Sequence, residues 1–223
     1  MSVTEDLLGM GERGVLAIVA APSGSGKTTL IRELRGILES EGRKTYFAVS
    51  HTTRRPRSGE QSGREYHFVS DAEFRAMVQA GEFLEYAHVH DRFYGTARGE
   101  VENRLERGWD VFLDIDVQGA RQVREKIPES LLTFVFPPSY AEVHRRLLAR
   151  GQDSIEQISV RMRNALSEMR EFSWFDCVII NDRLEEAVHE FHTAVAAARL
   201  RPAARGGRAE AIIEDFCRNL EGK

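Results

Sequence analysis

This 223-residue chain has only two cysteines, no excess of basic residues and no long hydrophobic run, and each of these features excludes a class of protein. The two cysteines, Cys177 and Cys217, match no metal-ligand spacing, so we expect a reduced cytoplasmic protein without a disulfide framework. No apolar run reaches the roughly 20 residues that span a bilayer, and residues 1–14 lack the apolar segment of a secretory signal. The formal net charge of −4 argues against a general nucleic-acid-binding protein. We therefore expect a globular protein with neither a membrane nor a nucleic acid as its partner.

Short apolar segments alternate with helical patterns along much of the chain. Residues 15–20 are wholly apolar, and a turn rich in glycine and serine separates them from a helical pattern at 28–39. This order is typical of the opening of a parallel sheet whose strands are covered on both faces. Further strands are predicted at 47–49, 111–115, 131–136 and 177–180, and further helices at 120–126, 139–150 and 184–200. The sequence thus predicts an α/β fold with a parallel sheet flanked by helices.

Two stretches interrupt this alternation and suggest separate units. Residues 51–97 are dense in arginine, glycine and aromatic residues, which predicts an insertion with a small fold of its own. Residues 138–174 are largely helical and rich in arginine, which predicts a mobile flap. Residues 201–223 are predicted to form a C-terminal extension in which a linker at 205–208 leads to a helix at 209–220. The remaining segments form a discontinuous core, residues 10–50, 98–137 and 175–200.

A phosphate-binding pattern follows the first strand. It is a P-loop with alanine in place of the first glycine: Ala21, Pro22, Ser23, Gly24, Ser25, Gly26, Lys27 and Thr28. Glycines let backbone N–H groups converge on phosphate oxygens, and the dipole of the following helix favours the same anion. Lys27 stands out because the chain has four lysines against 27 arginines. In this pattern the lysine reaches the β- and γ-phosphates and the Thr28 hydroxyl ligates Mg²⁺, so we predict binding of a nucleoside triphosphate with Mg²⁺.

A P-loop alone does not separate a kinase from a GTPase or a mechanical ATPase. The Asn-Lys-x-Asp segment of a guanine-reading GTPase is absent from the chain. A kinase needs a second anion site, and residues 50–57 (SHTTRRPR) offer one because Arg54 and Arg57 flank a proline in a loop. The hydroxyls of Tyr66 and Tyr94 can add donors to the same phosphate. The alternative interpretation of this segment is a solvated basic loop.

Several segments resemble, in order and in spacing, the guanylate kinase family. They are residues 50–57, 59–60, 63–69 (GREYHFV), 82–86 (EFLEY), 94–96 (YGT) and 113–119 (LDIDVQG). The resemblance extends from about residue 15 to residue 200. It implies a P-loop core with a small α/β GMP-binding insertion and a helical lid. It also implies ATP-dependent phosphorylation of GMP to GDP, and of dGMP to its own diphosphate, in the purine nucleotide metabolism of the cytoplasm.

The resemblance also implies the residues that bind GMP. Those at the GMP phosphate or its surroundings are Ser50, Arg54, Arg57, Tyr66 and Tyr94. Glu85 and Thr96 would hold the guanine, and Asp116 would assist. The chemistry agrees, because one carboxylate accepts both the N1–H and the 2-amino group of guanine, whereas a hydroxyl donates to O6. Adenine would leave that carboxylate unpaired at a cost of about 1–3 kcal/mol or more.

On the ATP side, the resemblance implies the P-loop residues and Asn181. Arg146 and Arg150 match lid arginines, and their spacing places them on one helical face. Arg161 matches a further arginine at the transfer centre, where it would act with Lys27. Asp114 ends a predicted strand beside the P-loop, so it is either a ligand of Mg²⁺-bound water or an orienting group, the alternative being a structural carboxylate.

Two other functions stay open at this stage. A different small-molecule P-loop kinase, such as a ribose bisphosphate kinase, should lack the set formed by Glu85, Thr96 and Asp116. A non-catalytic guanylate-kinase-like scaffold module typically loses the P-loop, whereas this chain keeps it. The sequence leaves open the oligomeric state, including a possible homo-oligomer, and the role of residues 201–223.

Overall fold

A five-stranded parallel sheet forms the centre of the computed structural model, which describes residues 12–89, 91–149 and 155–221. The strands of the described chain are β1 (Leu16–Ala20), β2 (Thr45–Phe47), β3 (His51–Thr52), β4 (His67–Phe68), β5 (Phe83–Val89), β6 (Arg92–Ala97), β7 (Asp110–Asp114), β8 (Leu131–Phe136) and β9 (Cys177–Ile180). The central sheet has the order β2-β7-β1-β8-β9, and all its neighbours are parallel. The carboxyl ends of β1 and β7, neighbouring strands in this sheet, therefore meet at one edge, where ligands bind in open α/β sheets.

Helices cover both faces of this sheet. The helices of the described chain are α1 (Lys27–Ser40), α2 (Asp71–Gln79), α3 (Arg98–Glu106), α4 (Val117–Lys126), α5 (Tyr140–Ala149), α6 (Ile155–Met169), α7 (Leu184–Ala198) and α8 (Pro202–Glu221), with a 3₁₀ turn at Phe172–Trp174. Side chains alternate along β1, as the strand geometry requires. Ala17 and Val19 pack in the cluster that α1 and α7 complete, whereas Leu16 and Ile18 pack in the cluster of α3 and α4. The central strand is thus buried on both faces, as the sequence predicts.

A second, four-stranded sheet arises from residues 51–97, in the order β4-β3-β6-β5. β5 and β6 form an antiparallel hairpin whose register shifts between Phe83 and Glu85. α2 covers this sheet with the buried Phe74, whose ring stacks on Phe83 and Phe93. A capping box between Ser70 and Glu73 fixes the start of α2.

Two predictions from the sequence were wrong in detail. The second strand is Thr45–Phe47 instead of 47–49, because its pairing with β7 begins where Thr45 faces Asp110. Thr45 is polar, so this strand does not appear in the sequence as an apolar run. The Thr45 hydroxyl is buried and donates to Glu39.

The predicted linker at 205–208 is also wrong, because α8 is continuous through Gly206 and Gly207. Two glycines cost a helix about 1 kcal/mol each relative to alanine. Pro202 starts the helix, because its fixed φ angle suits the first helical turn. The side chains of Ala204 and Ala211 are buried, so packing stabilises the helix despite its two glycines. None of the helices in the described ranges combines the length and the apolar character that crossing a bilayer requires.

Candidate active site

The P-loop joins the carboxyl end of β1 to the start of α1. Gly24 and Gly26 have φ angles of +87° and +86°, which L side chains rarely adopt. The Ser25 hydroxyl donates to the carbonyl of Pro22 at 2.8 Å, so the loop curls back on itself. Gly26 caps α1 without any side-chain hydrogen bond, which leaves the first N–H groups of the helix for an anion.

Asn181 supports this loop from the end of β9. Its side chain is 5% exposed, and its amide nitrogen Nδ2 donates to the carbonyl of Ser25 at 2.7 Å. A Cβ added to Gly26 would lie only 2.6 Å from that nitrogen. The structure thus places Asn181 against the loop backbone, a contact between residues 156 positions apart that sequence patterns do not indicate.

Gly26→Ala should therefore destabilise the fold. A left-handed alanine costs about 1–2 kcal/mol, and displacing Asn181 adds to this, so we expect the free energy of unfolding to fall by about 2 kcal/mol or more. Urea unfolding measures the change. Gly36→Ala is the control, because Gly36 lies inside α1 and its added Cβ would touch nothing. That variant should match or exceed the wild-type stability, and equal stability of the two variants would contradict the expectation.

Lys27, Thr28 and Asp114 meet at the edge of the sheet. Val19 of β1 lies opposite Asp114 of β7, which brings the strand end beside the loop. Lys27 Nζ lies 2.8 Å from Asp114 Oδ1, and the Thr28 hydroxyl donates to Asp114 Oδ2 at 3.2 Å. Hydroxyl and carboxylate oxygens are the hard ligands that Mg²⁺ prefers, so this donor set fits Mg²⁺ beside a phosphate.

A residue that the sequence analysis missed, Glu168, lines the same cleft as the P-loop, Asp114 and Asp116. Its side chain comes from α6. Burial raises the pKa of Glu168 above its usual range, the charge of Lys27 acts in the opposite direction, and that of Asp116 raises the pKa further. No pattern in the sequence distinguishes it from the other acidic residues of the helical segment.

Arg146 is the predicted lid arginine that the structure brings to the P-loop. Its Nη1 donates to the carbonyl of Gly24 at 3.1 Å, and its Nε donates to Glu142 at 2.7 Å. Hydrogen bonds from Arg145 and Arg146 lower the pKa of Glu142 to about 2. Arg161 lies on an exposed part of α6, and Arg150 lies outside the described residues.

The residues predicted to bind guanine come together around Glu85 of β5, and this cluster of Glu85, Thr96 and Asp116 is called the Glu85 pocket. Glu85 is 5% exposed, and its Oε1 accepts a hydrogen bond of 2.6 Å from the hydroxyl of Thr96, its partner in register on β6. Asp116 caps α4 by accepting from the Gly119 N–H at 2.8 Å. A Cβ on Gly119 would lie 3.0 Å from Glu85 Oε2, so the start of α4 closes against the carboxylate. Burial raises the pKa of Glu85 to about 7, the Thr96 hydrogen bond acts against this, and the charge of Asp116 adds to it.

Arg54, Tyr66 and Tyr94 form a further cluster, and Tyr94 lies two residues before Thr96 on β6. The guanidinium carbon of Arg54 lies 5.3 Å from the centre of the Tyr66 ring, which meets the Tyr94 ring edge-on at 5.8 Å. Arg54 Nη2 forms an ion pair of 2.8 Å with Glu60 Oε1, and this bond is the main reason why the pKa of Glu60 is lowered. Glu60 thus occupies the guanidinium of Arg54 in this structure.

Arg57 and Ser50 flank this cluster without joining it directly. The Arg57 side chain is exposed, and its backbone N–H donates to Glu60 Oε2 at 2.7 Å. Ser50 precedes β3, and its carbonyl accepts from the His67 N–H at 2.9 Å. Glu60 is therefore bound by the guanidinium of Arg54 and by the backbone N–H of Arg57. The guanidinium of Arg57 makes no hydrogen bond to Glu60 in the described structure.

Known proteins resemble the chain over most of its length. A model of the guanylate kinase family matches residues 13–198. The guanylate kinase of Haemophilus ducreyi is 46% identical over 203 residues, which cover 91% of this chain and 98% of that protein. The guanylate kinase of Dechloromonas aromatica is 49% identical over 201 residues, or 90% of this chain and 98% of that protein. A crystal structure of guanylate kinase from Anaplasma phagocytophilum has a TM-score of 0.67 at 28% identity, and the match covers 87% of this chain and 91% of that one.

Proposed function

The chain belongs to the guanylate kinase family, and on that premise we propose how its two pockets transfer the γ-phosphoryl group of ATP to GMP. In this proposal the P-loop cleft holds ATP and the Glu85 pocket holds GMP. The observation that carries the assignment is the buried pair of Glu85 and Thr96 in a chain that keeps the glycines, lysine and threonine of the P-loop. Asp116 lines the P-loop cleft and also acts electrostatically on Glu85, so the two pockets adjoin.

Guanine recognition follows from the chemistry of the buried carboxylate. Glu85 accepts the N1–H and the 2-amino group of guanine, and the Thr96 hydroxyl turns from Glu85 to donate to O6. Asp116 adds an acceptor at the start of α4. A buried carboxylate that loses its donors is costly, which excludes adenine from the pocket.

The GMP phosphate displaces Glu60 from the guanidinium of Arg54 in this proposal. Arg54 and Arg57 hold the phosphate, because a guanidinium donates two parallel hydrogen bonds to such a group. The tyrosine hydroxyls and Ser50 add donors around it. The attacking phosphate oxygen is already anionic, so the reaction depends on positioning and charge stabilisation more than on a general base.

The donor side uses the P-loop, Lys27 and Mg²⁺. The backbone N–H groups and Lys27 bind the β- and γ-phosphates, whereas Thr28 and Asp114 would hold Mg²⁺ directly or through water. Bound Mg²⁺ supplies neutralisation of the phosphate charge as the transition state forms. Asn181 keeps the loop in shape through the carbonyl of Ser25.

We assign the units of the chain accordingly. Residues 51–97 form the GMP-binding unit and residues 138–174 form the lid. The core consists of residues 10–50, 98–137 and 175–200. The hydrogen bond from Arg146 to the carbonyl of Gly24 supports this assignment, because it brings a side chain of the lid to the P-loop. Arg146, Arg150 and Arg161 would stabilise charge on the transferred phosphoryl group.

We also propose a cytoplasmic location for this reaction. Cys177 and Cys217 are both free thiols, as a reducing compartment maintains. Burial raises the pKa of the Cys177 thiol, so its reactivity toward oxidants is low.

An acceptor panel tests the proposed function. ADP release is measured with ATP, Mg²⁺ and one of GMP, dGMP, AMP, CMP, UMP or a ribose phosphate. We expect turnover with GMP and dGMP, and far lower turnover with the other acceptors. A preference for a ribose phosphate would support the alternative kinase, and no turnover with any acceptor would support a scaffold module.

Arg57→Met should weaken GMP binding far more than ATP binding. The exposed Arg57 side chain holds only the acceptor phosphate in this proposal, so we expect the KM for GMP to rise about tenfold or more and the KM for ATP to stay within twofold. Steady-state kinetics in both substrates measure the split. Arg55→Met is the matched control, because Arg55 is also exposed and only its carbonyl contacts Arg54. An unchanged KM for GMP would count against the phosphate site.

A further inference from the structure

β5 carries one more residue than β6 at the point where Glu85 enters the pocket. Phe83 pairs with Ala97 and Glu85 with Thr96, so Leu84 is the extra residue of a β-bulge. Phe83, Leu84 and Glu85 are all buried at this bulge, and the extra residue changes the regular alternation by which neighbouring side chains point to opposite faces. Phe83 packs on α2, Leu84 packs in the cluster of α3 and α4, and Glu85 faces the pocket. The bulge therefore aims Glu85.

Lys126, the last residue of α4, holds this bulge. Its Nζ donates to the carbonyls of Phe83 at 3.0 Å and Leu84 at 2.6 Å. These carbonyls precede Glu85 directly in the chain. A bulge disrupts the hydrogen-bond ladder locally, so a donor from outside the hairpin satisfies backbone groups that the ladder does not.

Gln122, one helical turn earlier on α4, holds the other side of Glu85. Its Oε1 accepts from the Tyr86 N–H at 3.1 Å, and its Nε2 donates to the Tyr86 carbonyl at 2.9 Å. α4 thus binds the backbone immediately before and after Glu85. The side chain of Glu85 remains directed toward Thr96 and the pocket.

Charged and titratable groups face Glu85 from both ends of α4. Asp116 at the start of the helix disfavours the ionised carboxylate, whereas Lys126 at its end favours it. Thr96 on β6 adds a hydrogen bond that also favours ionisation. Lys126 itself is faced by Arg98 of α3 and by Glu125, and burial lowers its pKa most.

We propose that Lys126 is a positioning residue for acceptor specificity, which fixes the bulge that aims Glu85 and supplies positive charge that favours its carboxylate form. This inference rests on the proposed binding of guanine by Glu85. It assigns Lys126 a role in the selection of the purine base without any contact with the reacting phosphates.

Lys126→Met removes both the donors and the charge and provides the test. We expect the KM for GMP to rise about tenfold, the KM for ATP to stay within twofold, and the preference for GMP over AMP to fall. The pH below which the KM for GMP rises should move upward, because Glu85 loses its positive neighbour. Lys126→Arg, which retains donors and charge, should restore most of the wild-type behaviour. Lys44→Met is the control, since Lys44 is exposed and lies over Trp109.

Lys126→Gln separates the two contributions and serves if the methionine variant does not fold. It retains a donor for the carbonyls but no charge, so we expect a near-normal KM for GMP at pH 8 and an upward shift in the pH dependence. The inference would be overturned if a folded Lys126→Met variant kept the wild-type KM for GMP, base preference and pH dependence. The same three wild-type results in Lys126→Gln would also overturn it. Equal changes in the KM for GMP and for ATP would also overturn it. A failure of the proposed function is distinguishable, because it would appear as a wild-type enzyme that does not phosphorylate GMP.

Discussion

Lys27→Ala is expected to lower kcat by about a thousandfold or more while the protein stays folded. Lys27 places a point charge at the start of α1, where the β- and γ-phosphates bind in the proposed mechanism, and no other residue of the P-loop carries a positive charge. The transition state concentrates charge on these phosphates, so the loss falls mainly on kcat. Single-turnover kinetics with saturating ATP and GMP measure this effect, and circular dichroism checks the fold.

The ion pair with Asp114 requires a further control. Removing Lys27 leaves Asp114 without the cation that lies 2.8 Å from it, and its charge then repels ATP. The double variant Lys27→Ala/Asp114→Asn removes that repulsion. We expect it to be at least as slow as the single variant, because Lys27 acts on the phosphates directly. Recovery to within about tenfold of the wild type would show that Lys27 only neutralises Asp114 and would refute the proposed mechanism.

The parts of the site that the sequence predicts are the local ones. The P-loop is eight consecutive residues, and the positions of its glycines, lysine and threonine within that segment identify it. The glycines predict a backbone that other residues rarely adopt, and the structure places Gly24 and Gly26 at left-handed φ angles. β1 is predicted for the same reason, because a short run of apolar residues suffices to indicate a strand buried on both faces. In both cases the residues of the segment itself carry the signal, although distant residues such as Asn181 also support the folded loop.

The remaining parts depend on contacts between distant segments. The bond from Lys126 to Leu84 joins residues 42 positions apart, and the bulge that it holds breaks the alternation on which strand prediction depends. Glu168 reaches the P-loop cleft only because α6 folds back over it. α8 passes through two glycines because Ala204 and Ala211 are buried, which no local propensity indicates. Tertiary packing therefore determines the features that local patterns do not predict.

α4 connects these distant contacts. Its first turn carries Gly119 against Glu85, Asp116 caps it beside the P-loop cleft, and its last residues hold the bulged strand. Arg121 on the same helix forms an ion pair with Glu171, directly after the helices of the lid. The helix thus contacts both Glu85 and the P-loop cleft, so in the proposed mechanism it would position the acceptor base relative to the phosphates.

Glu85→Gln is expected to lower kcat/KM for GMP about a hundredfold or more and to leave the KM for ATP nearly unchanged. In the proposed mode the carboxylate accepts two hydrogen bonds from guanine, whereas the carboxamide would present one oxygen and one NH₂ group in its place. The NH₂ group then faces a guanine donor. Steady-state kinetics with GMP and AMP measure the effect, and an unchanged preference for GMP would exclude Glu85 as the residue that selects the base.

The same carboxylate predicts a pH dependence whose sign follows from burial. Burial raises the pKa of Glu85 from 4.5 to about 7, so the free folded protein binds this proton more tightly than the unfolded chain does. The contribution of Glu85 to stability is therefore present below pH 4.5 and is lost as the pH rises from 4.5 to about 7. In the proposed mode GMP reverses this preference, because the two donors of guanine require the ionised carboxylate as acceptor. The KM for GMP should accordingly be about tenfold higher at pH 6 than at pH 8.

Glu85→Gln separates this titration from that of the substrate. The GMP phosphate itself gains a proton near pH 6, which weakens binding in the wild type and in the variant alike. Any pH dependence that remains in Glu85→Gln therefore belongs to the phosphate, and the difference between the two profiles belongs to Glu85. Parallel profiles would show that the buried carboxyl group does not release its proton when GMP binds. A steeper profile in the wild type, with a midpoint near pH 7 in the difference, is the result that links the buried hydrogen bond with Thr96 to the choice of guanine.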